Sequence, residues 1–206
     1  LDKEKNVGRL EPTQERGKIA ERKFVRAAQL AFAEHGYAGA RVSDIVKEAG
    51  SSTGNFYFRF KNKEALFEFM LAEFLDRARG AVAEMPDDAE SVEALLLWMI
   101  SRNAQLLEQN HGFYRAVNEV SIRHPETWQK LRDITREIGD VVVIKIAPFK
   151  PQIKAVDWKK AVHEMVEVTT GYMANQAVHH MDSKLDSAAN INLHFRTSLG
   201  ILGIAQ

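Results

Sequence analysis

The chain of 206 residues is 45% hydrophobic and 27% charged, with a formal net charge of zero and no cysteine. This composition is typical of a globular protein, and the lack of cysteine excludes disulfides, thiol catalysis and thiolate metal sites. No apolar run reaches the roughly 20 residues that a membrane span needs, and no signal-peptide core opens the chain, so we expect a cytoplasmic protein.

Charge is distributed unevenly along the chain. Residues 1–64 contain 13 Lys/Arg and 9 Asp/Glu, whereas the remaining residues contain 15 Lys/Arg and 19 Asp/Glu. A basic N-terminal part suits a polyanionic partner, and an acidic remainder does not. The split indicates that the N-terminal part is the side that would meet a polyanion.

The first elements are predicted from apolar spacing and helix breakers. Residues 1–17 are polar and interrupted by glycine and proline, which indicates a flexible arm. Apolar residues at i, i+3 and i+4 predict a helix over about 18–35 that ends at Gly36. Its inner face is expected to comprise Ile19, Phe24, Ala27, Ala28, Ala31 and Phe32.

Two short helices are predicted next. The first spans about 42–49 and stops at Gly50, where the turn needs a residue that tolerates a positive φ angle. Hydroxyl caps at residues 51–53 begin the second, which runs to Phe58 or Arg59. This succession of helices is the helix-turn-helix arrangement, whose second short helix enters the DNA major groove.

Longer helices are predicted over the rest of the chain. One spans about 63–83, with Asn62 as its cap, and Met85-Pro86-Asp87-Asp88 breaks it. The others cover about 91–109, 113–123, 125–146, 157–181 and 187–204, with a loop at Pro148 and Pro151. A run at Val141–Ile146 is ambiguous between helix and strand, and no other strand pattern survives. The sequence therefore predicts an all-α protein.

The segment from Phe24 to Leu75 carries the most specific signal. It contains Phe32-Ala33-Glu34-His35-Gly36-Tyr37, then Val42-Ser43-Asp44-Ile45-Val46-Lys47-Glu48-Ala49-Gly50, then Gly54-Asn55-Phe56-Tyr57-Phe58-Arg59-Phe60-Lys61-Asn62-Lys63-Glu64-Ala65-Leu66. The glycines, the aromatic residues and the Lys-Glu-Ala-Leu segment resemble the DNA-binding domain of the TetR family of transcriptional regulators. The resemblance runs without gaps over about a quarter of the chain.

This resemblance implies a two-part protein. An N-terminal three-helix helix-turn-helix domain would span 18–64, and a C-terminal helical ligand-binding and dimerisation domain would span 65–206, with the helix over about 63–83 connecting them. The implied protein is a homodimer that binds a palindromic double-stranded DNA operator and is a repressor released by a small-molecule inducer. It implies no enzymatic activity and no cofactor.

Positions that match the family motif imply DNA contacts on and beside the second short helix. Bases and phosphates are expected to meet Ser52, Thr53, Asn55, Tyr57 and Phe58. Tyr57 and Lys63 match positions that clamp the DNA backbone, whereas Phe56 and Phe60 match core positions. Arg41 stands where the family has a capping Ser or Thr, so we expect it as a further phosphate contact, and Ser51 replaces a valine.

Two features near this helix leave alternatives open. The missing side chain at Gly54 allows close approach either of DNA or of the preceding helix. The basic residues of the arm either touch the minor groove and nearby phosphates or belong to a solvated tail. They are Arg9, Arg16, Lys18 and Arg22.

The last two long helices are apolar on every side, which predicts burial against both the chain's own core and a partner. An isologous dimer supplies that second surface. We expect the dimer interface to include Val162, Val166, Met173, Phe195, Leu199 and Leu202.

A ligand pocket is expected among aromatic and polar residues at inward positions of the C-terminal part. These are Trp98, Asn103, Phe113, Tyr114, Asn118, Trp128, Thr169, Tyr172 and Gln176. A mostly apolar pocket with a few polar anchors suits a flat or lipophilic molecule. Simple packing in the core is an equal alternative for each residue.

Other functions find less support in the sequence. Glu108 and His111 form the only Glu-x-x-His, whereas a di-iron bundle needs two. A metal-sensing repressor stays an alternative because of His179 and His180, although His163 is too distant along the helix to join them. Nucleophile-elbow, phosphate-loop and dinucleotide patterns are absent. A protein with this fold that activates, or that has no inducer, is the main alternative.

Overall fold

The computed structural model describes residues 11–179 and 184–205, and that part of the chain is helical and contains no strand. The helices are α1 (Glu11–Gly39), α2 (Val42–Glu48), α3 (Thr53–Arg59), α4 (Lys63–Ala83), α5 (Val92–Glu108), α6 (His111–Ser121), α7 (Pro125–Ile146), α8 (Trp158–His179) and α9 (Ala188–Leu202). A short 3-10 helix, Ala147–Gln152, replaces the loop that the two prolines predicted. The all-α prediction is confirmed. None of these helices is long and apolar enough to cross a membrane.

Local chemistry explains where several helices begin. The side chains of Ser52, Asn62, Ser91 and Ser187 each accept a hydrogen bond from the backbone N–H three residues on. Such caps satisfy donors that the first helical turn leaves without a partner. Arg41 gives α2 no such bond, as its departure from the family motif predicts.

The N-terminal boundary differs from the prediction. Helix α1 begins at Glu11, so residues 11–17 are helical and not part of a flexible arm; residues 1–10 lie outside the described part. Gly36 does interrupt the helix, with φ of +69°, but helical backbone resumes until Gly39. Ile19 is half-exposed and does not join the inner face of α1.

Helices α1–α3 form an N-terminal unit, here called the head, around a cluster of aromatic rings. Phe24, Phe56 and Phe60 are buried there and meet mainly edge to face, with the Phe24 and Phe56 ring centroids 5.4 Å apart. Such pairs add specific geometry to the burial of their large apolar surfaces. This cluster fixes the orientation of α3 relative to α1. Gly50 takes φ of +56° in the turn between α2 and α3, as predicted.

The remaining helices form a bundle that contacts the head chiefly through α6. Helix α6 packs against α1, α7 and α8, and α8 packs against α7 and α9. The closest approach is at Gly112, where a Cβ atom would overlap the backbone carbonyl oxygen of Gln29. The side chain of Gln29 holds the same spot, donating to Asn110 Oδ1 at 2.9 Å and accepting from the Phe113 N–H at 2.7 Å.

The end of α1 is fixed to α6 as well. Arg115 donates to the Ala33 carbonyl oxygen, and the Glu119 carboxylate accepts from the Ala38 N–H at 3.0 Å. Glu119 also occupies the space where a side chain at Gly36 would stand. The head is therefore held to the bundle by polar contacts along the whole of α6.

Candidate DNA interface and ligand cavity

The outer surface of α3 presents two aromatic side chains to solvent. Tyr57 is 54% exposed and Phe58 is 85% exposed, whereas their neighbour Phe56 is fully buried. Apolar side chains this exposed are unfavourable in water unless a partner covers them. The helical spacing that buries Phe56 and Phe60 is what turns Tyr57 and Phe58 outward.

Exposed polar residues also lie at the starts of α2 and α3. Arg41, Ser52 and Thr53 are all exposed, Arg41 at the start of α2 and the two hydroxyl residues at the start of α3. The Ser52 hydroxyl oxygen accepts a hydrogen bond from the Asn55 N–H and so caps α3. Its hydroxyl proton remains available as a donor. Gly54 faces open space, so its missing side chain makes no room for the preceding helix.

Asn55 is engaged within the protein. Its amide Nδ2 donates to Ser51 Oγ at 2.7 Å, and its Oδ1 accepts from the Arg59 guanidinium. An amide held by both ends positions its neighbours more than it reads a base. Ser51 stands where the family has a valine, and it accepts a hydrogen bond from Asn55 where a valine would only pack.

Lys63 lies where the sequence did not predict it. Its ammonium group donates to the carbonyl oxygens of Tyr37 at 2.6 Å and Ala40 at 2.8 Å, and it stands over the Tyr37 ring. Burial lowers the pKa of Lys63, and Glu64 and Glu119 oppose that shift. The side chain thus holds the end of α1 against the start of α4. Its contact with DNA phosphate stays a prediction. The arm residues Lys18 and Arg22 are exposed on α1, whereas Arg9 and the Arg16 side chain lie outside the described residues.

A cavity of about 70 Å³ lies between α4, α5, α7 and α8, with one wall formed by α6. Of the nine residues predicted for a pocket, four line it: Trp98, Asn103, Tyr114 and Thr169. Most other lining side chains are apolar. Several of them come from α4 and α7, such as Phe74, Leu131 and Ile134, and no local sequence pattern marks these as cavity residues. Arg102 borders the cavity and pairs with Glu84 at 2.8 Å.

The other five predicted pocket residues lie elsewhere. Phe113 is stacked between Phe67 and Phe74. Asn118 and Tyr172 are exposed, Trp128 is partly buried against the core outside the cavity, and Gln176 donates to Asn190 on α9 at 3.0 Å. Helical spacing alone cannot tell which neighbouring helix a side chain faces, and this explains the errors.

Five of the six residues predicted for the dimer interface are covered by the chain itself. Val162, Val166, Met173, Leu199 and Leu202 are buried in the chain's own core, and Phe195 is partly buried. A side chain that is already covered adds no surface to a partner. The exposed apolar residues of these two helices are Val168, Tyr172 and Leu193.

A metal centre finds no support in the described residues. No three His, Asp or Glu side chains there come close enough together to hold an ion. His163 instead pairs with Asp140 at 3.3 Å and fills the space beside Gly139, while His180 lies outside the described residues.

The sequence of the head is similar to a known family of DNA-binding domains. Residues 24–70 match the profile of the bacterial regulatory proteins of the tetR family. This segment is therefore similar to the DNA-binding domain of the TetR family. The match spans all of α2 and α3, most of α1 and the start of α4, so the exposed face of α3 is the surface of a TetR-type head.

TetR-family relatives match part of the chain. The fatty acid metabolism regulator protein of Bacillus subtilis is 33% identical over 119 residues, which are 55% of this chain and 59% of that protein. The HTH-type transcriptional repressor KstR2 of Mycolicibacterium smegmatis is 30% identical over 89 residues, 43% of each chain. The chain therefore covers about half the length of these relatives.

Solved TetR-family structures match nearly the whole chain in fold. A tetR-family regulatory protein from Rhodococcus has a TM-score of 0.69 at 17% identity, covering 91% of this chain and 98% of its own. The fatty acid degradation regulator FadR of Bacillus halodurans has a TM-score of 0.64 at 22% identity, covering 90% and 97%. At this identity the likeness concerns the fold, including the helical bundle behind the head.

Proposed function

We propose that this protein is a ligand-responsive, sequence-specific DNA-binding transcription regulator, and that it represses from a palindromic operator until an apolar small molecule releases it. The single observation that carries the proposal is the exposed face of α3, with Tyr57 and Phe58 outward on a head that matches the TetR family. A buried aromatic cluster holds that helix, and a rigid helix with an exposed face suits the DNA major groove.

Contacts with DNA would divide by chemistry. Arg41, Ser52 and Thr53 offer a charge and two hydroxyls suited to phosphate oxygens, which position a protein on the duplex. Tyr57 and Phe58 offer ring surface suited to base edges and the thymine methyl group. Asn55 would act by fixing α3, since both ends of its amide are already bonded.

A homodimer would form through the exposed faces of α8 and α9. Val168, Tyr172 and Leu193 lie on these faces, near the small residues Gly171 and Gly200, which are exposed and have no atom near their missing side chains. Small residues let helices approach closely, and the apolar residues supply surface to bury. Two heads joined this way would meet successive major grooves roughly 34–36 Å apart.

The cavity is the proposed ligand site. Its walls are mostly apolar, so a lipophilic molecule fits its chemistry, in keeping with a relative named for fatty acid metabolism. At about 70 Å³ it has room for only a few water-sized groups, so a larger ligand must move the helices apart.

Helix α6 connects the two sites. Tyr114 borders the cavity, and Gln29, Ala33 and Ala38 of α1 bond to the same helix. A ligand that shifts α6 would shift the head with it. By linkage, the ligand must bind the DNA-incompetent arrangement more tightly, and DNA must weaken ligand binding by the same factor.

The test is selection of bound sequences from a random duplex DNA pool, followed by affinity measurements across salt concentrations. We expect an inverted repeat and a steep fall of affinity with salt. Tyr57→Ala should weaken binding to the selected site by roughly tenfold or more while the mass of the free protein in solution stays that of a dimer. Selection of no sequence, or full affinity in Tyr57→Ala, would overturn the proposed use of α3.

A further inference from the structure

The polar groups in the cavity wall differ in whether they already make hydrogen bonds within the protein. The Thr135 and Thr169 hydroxyls donate to carbonyl oxygens of their own helices, at 2.9 Å to Leu131 and 2.7 Å to Met165. The Asn103 amide nitrogen lies 3.4 Å from both Thr170 Oγ1 and Met173 Sδ. These donors are occupied without a ligand.

Among the buried residues of the described wall, Tyr114 is the exception. The residue is 4% exposed, lies in the cavity wall, and packs edge to face on Phe74 with ring centroids 5.3 Å apart. Its hydroxyl makes no hydrogen bond to any described residue. A buried tyrosine hydroxyl normally has a partner, because an unsatisfied donor in an apolar site costs free energy.

The charge around the cavity limits what that partner can be. Among the described residues of the wall, Arg102 is the only ionisable side chain besides Tyr114, and it is half-exposed, pairs with Glu84 and also borders the grooves outside. An anionic group placed beside Tyr114 would therefore lose its water, while the one cation of that wall is already paired with Glu84. Burial raises the pKa of Tyr114, so the phenol stays protonated and can donate.

We infer that the Tyr114 hydroxyl recognises an uncharged hydrogen-bond acceptor, such as a ketone or ester carbonyl, on an otherwise apolar ligand. This rests on the proposed function, because it names the chemistry of the ligand in the same cavity. The selected class is neutral carbonyl compounds, in preference to hydrocarbons, which leave the hydroxyl without a partner, and to free carboxylates, which leave a buried charge.

The test compares two probes of one shape in the full chain. Acetophenone has a carbonyl oxygen where α-methylstyrene has a methylene group, so the two neutral probes differ in one hydrogen-bond acceptor. Benzoate is the third probe and carries a negative charge. Binding is followed by NMR of the labelled methyl groups of Met99 and Met173, which lie in the wall and so place the probe in this cavity. DNA is not needed, so the result is independent of whether the protein represses a gene.

We expect Tyr114→Phe to weaken acetophenone binding roughly three- to tenfold, the size of one neutral hydrogen bond, and to change α-methylstyrene binding less than about twofold. Thr135→Val is the matched control: it also removes a hydroxyl from the wall, but one that its own helix already uses, so acetophenone should keep its affinity. Benzoate should bind more weakly than acetophenone. Equal effects of Tyr114→Phe on both neutral probes, tighter binding of benzoate, or no methyl shifts with either neutral probe would overturn the inference.

Discussion

Lys63 makes contacts within the protein that its place in the motif does not predict. It is the first residue of α4, and its ammonium group turns back onto the Tyr37 and Ala40 carbonyl oxygens at the end of α1. Carbonyls at the end of a helix lack intrahelical partners, so a partly buried cation beside them is favourable. The sequence placed the lysine correctly at a helix start but could not show that the end of α1 lies beside it.

Replacing Lys63 separates this structural role from a DNA contact. Lys63→Met should lower the free energy of unfolding by about 1–3 kcal/mol, because two hydrogen bonds from a charged donor are lost. Urea denaturation measures the loss, with the exposed Lys61→Met as the control expected to change little. The salt dependence of operator binding should stay the same, whereas a slope reduced by about one would return Lys63 to the phosphate contacts.

His194 gives the stability of the bundle a pH dependence. It is buried between α8 and α9, where its Nε2 lies 3.5 Å from Gln176 Oε1 and its ring lies beside Tyr172, and burial lowers its pKa below 6.5. Because the folded chain binds this proton less tightly than the unfolded chain, stability is full above pH 6.5 and falls as the pH drops through that value. Urea denaturation at about pH 7.5 and 5.5 should show a smaller loss for His194→Gln than for the original chain. An equal loss in both would contradict this assignment.

At the scale of elements, α6 is the helix on which both parts of the molecule depend. It contacts α1 through Gly112 and a set of polar bonds, and it contributes Tyr114 to the cavity. A series of aromatic rings from Tyr37 through Phe67, Phe113 and Phe74 runs alongside it. The amphipathic pattern predicted this helix, but its pairing with α1 joins residues some 81 to 84 positions apart, which no local pattern encodes.

The close approach of α6 to α1 at Gly112 can be tested by adding one methyl group at that position. Gly112→Ala should destabilise the protein by about 1–3 kcal/mol, since the added Cβ overlaps the rigid backbone of Gln29. Gly80→Ala is the matched control, because Gly80 is also inside a helix but meets open space, and alanine there should stabilise by about 0.5–1 kcal/mol. Chemical denaturation measures the free energy of unfolding of both variants. Equal changes in the two would mean that α6 does not pack tightly on α1.

At the scale of the whole molecule, the outward faces of α8 and α9 carry the exposed apolar residues on which the proposed dimer would form. The sequence predicted that both helices are apolar on every side, whereas Glu164 and Glu167 of α8 and Arg196 of α9 are exposed. Five of the six residues predicted for the interface, among them Val162 and Leu202, are buried in the chain's own core, and Phe195 is partly buried. Burial in three dimensions, not residue type, separates the two sets.

Two leucines on α9 test this division. Leu193→Glu, on the exposed face, should convert the dimer to folded monomers, as measured by sedimentation or light scattering. Leu199→Glu places a charge in the chain's own core and should instead cause a loss of the folded state, visible in the circular dichroism melt. A dimer that survives Leu193→Glu unchanged would refute this interface.

The sequence by itself determined the all-α class, most helix boundaries to within a few residues, and the family of the head. These follow from local chemistry: the caps at Ser52 and Asn62, the positive φ at Gly50 and the spacing of Phe56 and Phe60 act over a few residues. Tertiary structure alone decided that Lys63 faces α1, that Tyr114 borders a cavity while Phe113 does not, and which side of α9 stays exposed. Each of these depends on which helices pack together, and that is set by contacts between residues far apart in the chain.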